Sequence, residues 1–393
     1  MNYILFDDNS REALLPFTYT APIAEIRCGI LTMKEKWEKY LDKEVSHLTE
    51  DYLSKKFVLN VASENILINS SIFPNKELLD AIYNLNINEK LVNKDTIIAI
   101  KTNEQNIENE ILENENLKTI NCDIEFKKIN NTWDIFSFND FAIRDDFEFI
   151  TKGRTSQQIS ETNNILGKEN IFVEEGAIIE FATLNASTGP IYIGKDAEIM
   201  ENSAIRGPFA ICEHSAVKLS AKIYGPTTIG PHSKVGGELN NVVIFGYTNK
   251  AHDGFLGNSV IGRWCNLGAD TNNSNLKNNY VNVRLWDYKT ERFAKTGLQF
   301  CGLMLGDHSK SAINTMFNTG TVIGVFANIF GSGFPRNFVP SFSWGGASGM
   351  SEYGIKKAFE VAEKVMARRG IDFDDIEKDI LTKVFEMTAK YRN

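Results

Sequence analysis

An α/β domain, then a parallel β-helix of six-residue repeats, then closing helices is the fold class this 393-residue sequence predicts. Three observations predict it. Short apolar runs alternate with helical stretches up to about residue 138, the pattern of a mostly parallel, Rossmann-like sheet packed between helices. Ile193, Ile199, Ile205, Ile211, Val217, Ile223, Ile229 and Val235 then recur at intervals of six, a period that fits neither an amphipathic helix nor a hairpin. Beyond about residue 350 the apolar spacing turns helical.

Taken in order, YILF at 3–6 reads as a first buried strand, and ILTMKEKWEKYL at 30–41 as a helix. FVLNVA at 57–62 and ILI at 66–68 are short apolar runs of strand type, KELLDAIYNL at 76–85 is helical, and TIIAI at 96–100 is a strand. NEQNIENEILENENLKTINCD is polar and Asn/Glu-rich, a solvated insertion or surface helix. A helix within 132–150 leads out of the domain, giving boundaries of 1–150 for the first domain and 151–164 for a polar linker.

The repeat domain spans 165–348. It starts near Ile165 to Val173, slips before Ile193, and resumes after Val235 in a shifted phase at Phe255, Ile261 and Leu267. The slip implies a loop leaving the coil between Asn240 and Gly254, and residues 275–293 imply a second excursion. Residues 349–393 form two helices, the first stopped by Gly370 and the second running from about Asp374 to Tyr391.

With 42 Lys and Arg against 51 Asp and Glu, the net charge of -9 excludes a general nucleic-acid binder and leaves a local basic pocket for phosphate open. The five cysteines show no CxxC or zinc-like spacing and read as reduced thiols in a cytoplasmic protein. The opening MNYILFDDNSRE carries acids at 7 and 8 after a five-residue apolar run, so neither a signal peptide nor a membrane span is expected there.

The chemistry gathers after Val235. His252 stands beside Lys250 and Asp253, and an imidazole suits general-base work because histidine titrates near neutral pH. Glu238, fourteen residues upstream, falls within about one three-sided coil of it. His232 and His308 sit at turn positions of the coil, where a structural role is expected. Residues 238–275 resemble the acetyltransferase half of the bifunctional glucosamine-1-phosphate N-acetyltransferase / UDP-N-acetylglucosamine pyrophosphorylase family: Glu238, His252, Leu256 with Gly257, NLGADT from Asn266 to Thr271, and Asn275 keep its spacing.

The resemblance implies a left-handed β-helix that forms a homotrimer and takes acetyl-CoA between neighbouring coils. It makes His252 the base that accepts the amine proton and Glu238 the group that orients or polarises the site. Asn266 and Asn275 then hold the sugar, and the backbone near Ala269 assists at the acetyl group. The family's tyrosine and lysine are Phe255 and Asn241 here, so phosphate recognition passes to Lys218, Lys222, Lys250 or Lys277, and Arg336 stands where coenzyme phosphates bind in the family.

The first domain resembles sugar-1-phosphate nucleotidyltransferases. Arg11, Pro16, Thr18, Thr20 and Pro22 match that signature, which makes Arg11, Thr18 and Thr20 candidate contacts for a nucleoside triphosphate. DDNS at 7–10 replaces the glycines, and Ile23 stands where the family has a lysine that neutralises phosphoryl charge. For Mg²⁺, Asn69 stands where an aspartate is expected, and FND at 138–140 offers Asp140 as the late ligand. LLPFTYTAPIAEIRCGILTMKEKWEKYL, VGGELNNVVIFGYTNKAHDGFLGNSVIG and NTGTVIGVFANIFGSGFPRNFVPSFSWGG extend the resemblance to a divergent, Bacteroidetes-type branch, which commonly has arginine at Ala21.

The expected activity is acetyl transfer to an amino sugar 1-phosphate, glucosamine 1-phosphate first, fused to a degenerate nucleotidyltransferase domain. Two other readings stay open. One is a nucleotidyltransferase whose β-helix serves assembly only, and the other is a non-catalytic trimeric scaffold.

Overall fold

In the first unit, strand β1 (Asn2–Phe6) is buried along almost its whole length because both of its faces are covered. Tyr3 and Leu5 pack with Trp37, Ile66 and Ile68, while Ile4 and Phe6 pack on the other side with Leu67 and Ile100. The computed structural model describes residues 1–392. These fall into two compact units, one built from 1–14, 18–26 and 31–131 and the other from 15–17, 27–30 and 132 onward.

Five more strands complete the first sheet: β2 (Ser46–Leu48), β3 (Asn65–Asn69), β4 (Glu89–Asn93), β5 (Thr96–Thr102) and β6 (Lys118–Asn121). The order is β2-β1-β3-β5-β4-β6. Three of its five pairings are parallel, as expected, and the sheet is mixed because β5 runs antiparallel to both β3 and β4. The cause is local: β4 and β5 are joined by Lys94 and Asp95 alone, and a connection that short can only join antiparallel neighbours.

Helix α1 (Met33–Leu41) starts where Thr32 and Glu35 form a reciprocal capping box, and α2 (Lys76–Tyr83) starts on the Asn75 side-chain cap. FVLNVA forms no strand, and Val58 and Val61 are exposed. The polar stretch after 103 is not all solvated: Ile107, Ile111 and Leu117 are buried, and its end is the edge strand β6.

In the second unit α3 (Asp134–Ser137) and α4 (Asn139–Thr151) pack beside the repeat, so by compactness these residues sort with it. Asn139 ties them down: its carbonyl accepts from the Gly29 amide at 2.7 Å and the Thr228 hydroxyl at 3.1 Å, and its amide donates to the Pro226 carbonyl at 2.9 Å.

The repeat itself is a parallel β-solenoid with three faces. On the first, 183–185, 204–206, 222–224, 238–240 and 255–257 pair in sequence. On the second, Ile193, Ile211, Ile229, Ile244, Ile261, Leu305, Ile323 and Val339 stack in register. The third begins at Ile179 and continues through Ile199, Val217 and Val235. All eight aliphatic residues of the six-residue march are no more than 2 % exposed. Each buries its side chain against those of the coils above and below, which is how a short repeat with no core of its own becomes stable.

Two sequence expectations are corrected here. No loop leaves the coil between Asn240 and Gly254. Strand Glu238–Gly246 runs continuously from the first face to the second, bent at Asn241 (φ 56°), so the coil shortens and Ile229 pairs with Ile244. Phe255 is not the inward residue either: Leu256 pairs with Leu239 and is 1 % exposed.

The second excursion is present, as a hairpin of Arg284–Asp287 against Arg292–Lys295. Helices α5 (Ile355–Ala367) and α6 (Asp375–Met387) follow, with Phe385 of α6 packed edge-on to Phe342 of the last coils. At the corner between the second and third faces His214, His232, Tyr247, Trp264, His308, Phe326 and Phe342 stack one per coil, with successive ring centroids 4.3–6.2 Å apart. His232 and His308 therefore belong to a structural column. No helix among the described residues is long and apolar enough to cross a membrane.

Candidate functional site

The corner between the third face and the first carries His252. The third-face strand Asn249–Lys250 ends there, and the strand Phe255–Arg263 begins just beyond it. His252 and Asp253 are exposed. One coil earlier the same corner is made by Gly236 and Gly237. A Cβ on Gly236 would stand 2.4 Å from the Ala251 carbonyl oxygen, so only glycine lets the two corners stack this closely.

Glu238 opens the first face directly after that corner and pairs in register with Lys222 on one side and Phe255 on the other. Its carboxylate is held from the preceding coil: the Tyr224 hydroxyl donates to Oε1 at 2.6 Å, and Lys222 Nζ lies 3.5 Å from Oε2. The hydrogen bond to Glu238 keeps the Tyr224 phenol above its ordinary pKa, since ionising it would set two anions side by side. Tyr224 was not among the sequence candidates. Only its outward direction was legible, one residue after inward Ile223; in register it lies across from Asn240, and its hydroxyl reaches Glu238 on the diagonal.

Asn275 closes the far end of this face. Its amide donates to Asn258 Oδ1 at 2.7 Å, and its nitrogen lies so near Gly257 that a Cβ there would meet it at 2.6 Å. Between them Asn272 accepts from the Phe255 amide at 2.7 Å and Asn273 from the Gly257 amide at 2.8 Å. Part of the Asn-rich run thus satisfies the strand edge where the chain leaves for the excursion.

The structure brings Lys222, Glu238, Phe255 and Asn275 onto the first face, with His252 at the corner leading into it. Asn266 lies exposed on the third face, its oxygen 3.4 Å from the Asn249 amide. The Ala269 carbonyl accepts from the Asn314 amide at 2.8 Å in the next coil. Asn241 turns away: with its amide oriented to satisfy its neighbours, it donates to the Pro226 and Phe136 carbonyls and accepts from Asn258.

Lys250 is corrected as a phosphate contact, being 1 % exposed with its ammonium held inside by two carbonyls. Lys218 has its Nζ 3.7 Å from the Met200 sulfur. Lys277 lines a cavity of ≈ 430 Å³ with Arg284, Asn318 and Thr319, and neither cation has a carboxylate partner among the described residues. Arg336 is exposed and lines a second cavity of ≈ 410 Å³ with Phe338, Tyr391 and Arg392.

In the first unit Arg11 is no free phosphate contact. Its guanidinium donates to Asp7 at 2.8 Å, to Tyr52 at 3.1 Å and to the Ala21 and Thr18 carbonyls. Thr18 is fully buried and donates back to the Arg11 carbonyl at 2.8 Å, while Thr20 is partly buried. Asp7 also accepts from the Ile23 amide at 2.8 Å and the Thr49 hydroxyl at 2.6 Å. The Ile23 side chain is fully buried, which is why an apolar residue stands where the signature has a cation. Burial raises the pKa of Asp8, but Lys128 at 3.0 Å with Ser10 and Asn69 outweighs it and holds the carboxyl below its ordinary range.

The residues proposed for Mg²⁺ do not fit it. Both Asp140 oxygens are taken by Arg144 at 3.0 and 3.1 Å, Asn69 donates its amide to Asp8 and the Ile97 carbonyl, and no group of three His, Cys, Asp or Glu suited to a metal occurs among the described residues.

Residues 3–155 match the family described as sugar nucleotidyl transferase. The chain is 23 % identical over 338 residues to the bifunctional protein GlmU of Methanocaldococcus jannaschii, covering 82 % of this chain and 67 % of that protein. Among solved structures it is similar to LpxA, a UDP-N-acetylglucosamine acyltransferase from Bacteroides fragilis 9343, at 16 % identity over 59 % of this chain and 91 % of that one, with a TM-score of 0.26. It is also similar to an Arabidopsis UDP-N-acetylglucosamine acyltransferase, at 15 % identity over 60 % and 82 % of the two chains, with a TM-score of 0.23. From a sugar nucleotidyl transferase match at its start to the solenoid beyond it, the chain is distantly similar to the bifunctional protein GlmU.

Proposed function

We propose that this protein transfers the acetyl group of acetyl-CoA to the amine of an amino sugar 1-phosphate, glucosamine 1-phosphate being the first substrate to test. His252 takes a proton from the amine as its nitrogen attacks the thioester carbonyl. The carbon–sulfur bond breaks as the carbon–nitrogen bond forms, and the proton passes to the departing thiolate. Glu238, carrying the Tyr224 donor and the Lys222 cation, sets the charge beside that amine.

The observation that carries the reading is the coil register: Glu238 pairs directly with Phe255, so the carboxylate and the corner bearing His252 sit on adjacent coils. The similarity to GlmU supports a sugar-nucleotide substrate class. The coenzyme's phosphates are assigned to the cations of Lys277, Arg284 and Arg336. His252→Ala should lower thiol release from acetyl-CoA and glucosamine 1-phosphate by about 10²–10⁴-fold. Turnover equal to the wild type removes His252 from the mechanism.

For the first unit we propose binding of the same sugar 1-phosphate class, in keeping with the nucleotidyl transferase match. Its cavity of ≈ 370 Å³ beside the opening loop is lined by Asp7, Asp8, Asn9, Arg11, Thr49 and Asn109 among others. Pyrophosphate release from UTP and sugar 1-phosphate is the matching assay.

A further inference from the structure

On the third face of the solenoid the inward column reads Ile199, Val217, Val235, and then Lys250. A lysine in an aliphatic stack breaks the pattern that holds the coil together, and a break of this kind calls for a compensating role. Lys250 is 1 % exposed and among the largest fully buried side chains of the chain. Burial pushes its pKa down to about 8, against the opposing pull of Asp253 and Asp270.

Its ammonium is not placed at random. Nζ donates to the His252 carbonyl at 2.8 Å, on its own corner, and to the Gly236 carbonyl at 3.0 Å, on the corner one coil earlier. Gly236 lies two residues before Glu238. One buried donor therefore joins the turn that presents His252 to the turn that presents Glu238. His252 itself is exposed, and among the described residues its side chain has no hydrogen-bond partner that fixes the turn from outside. A charged donor on each carbonyl fixes the separation of the two corners more firmly than a neutral contact does.

We propose that Lys250 is a positioning residue of the acyl-transfer site, a buried clip that sets the His252 turn against the Glu238 turn without touching substrate. The proposal rests on the acetyltransferase reading for its kinetic consequence but not for its structural one. It also accounts for a buried charge where an aliphatic side chain would pack at least as well, since replacing a buried ion by an apolar residue of similar volume is often neutral or stabilising.

The test compares wild type with Lys250→Met, which keeps an unbranched stem one atom shorter and removes the donor, and with Lys250→Gln, which retains one amide donor and is read if the first variant does not fold. Two readouts are taken on the full chain: steady-state thiol release, and the imidazole resonances of His252 in histidine-labelled protein, assigned by their loss in His252→Gln. Expected are a kcat lower by roughly tenfold or more at little-changed KM, a shifted or broadened His252 resonance, unmoved His47 resonances, and a thermal midpoint within about 4 °C of wild type. A folded variant with wild-type kcat, or one whose kcat falls while the His252 resonance stays in place, overturns the proposal. If the wild type releases no thiol, the acetyltransferase reading fails, and the resonance decides the clip on its own: a shift sustains it and an unmoved signal overturns it.

Discussion

Glu238 is held by two groups of the preceding coil, and the hydroxyl makes the closer contact: Tyr224 at 2.6 Å against Lys222 at 3.5 Å. Removing the hydroxyl leaves an ion pair whose lysine is largely solvated and worth little by itself. Tyr224→Phe should therefore lower kcat by about 3–10-fold, the equivalent of one ordinary, partly solvated hydrogen bond, with the circular dichroism unchanged. Phenol absorbance gives an independent check, because Glu238→Gln should bring the Tyr224 titration down toward the ordinary tyrosine range.

Lys250 carries a pH signature of its own. Its folded pKa, about 8, lies below that of an unfolded lysine, so between pH 8 and about 10.4 the unfolded chain binds more protons and stability rises with pH. Below pH 8 the residue is charged in both states and contributes no slope. The wild-type thermal midpoint should accordingly gain on that of Lys250→Met from pH 8 to 10, and parallel curves would show that the lysine is not desolvated.

At the scale of elements, the coil is a sum of like contacts, and its inward positions are the sensitive ones. Ile229 is fully buried between Ile211 and Ile244. Ile229→Ala should cost about 2–5 kcal/mol in chemical denaturation, because neighbours fixed in register on both sides collapse poorly into the space. The six-residue march made these eight burial positions legible, since every one of them is fully or nearly fully buried.

Where the period broke, the sequence misled on geometry. The shift after Val235 is a shortened coil, not a loop, because strand Glu238–Gly246 bends at Asn241 instead of making a separate corner turn. A one-residue error of phase at Phe255 and Leu256 follows directly, since inward and outward alternate along a strand.

For the whole molecule, the expectation to test is the homotrimer that the sequence resemblance implies. Leu166, Ile178, Phe181, Leu219 and Ile313 of the solenoid unit are each more than half exposed, with Ile313 at 69 %. A solenoid that hides its aliphatic stack yet shows this much apolar side chain is suited to self-association. Light scattering should give about three times the 44.2 kDa chain mass, and a monomer at assay concentration would overturn that expectation.

By itself the sequence determined the order of the two architectures, the inward column of the solenoid, the excursion and the identity of His252, Glu238 and Asn275 as candidates, because period and spacing are properties of the chain alone. Only the tertiary structure decided which charged residues remain available. Arg11 and Lys250 look alike on paper as cations near phosphate signatures. One is consumed by Asp7, Tyr52 and two carbonyls, and the other is turned into the core. The physical reason is that a long charged side chain takes its role from whatever lone pairs the fold brings within about 3 Å, and those come from residues distant in sequence or from carbonyls that the sequence does not show.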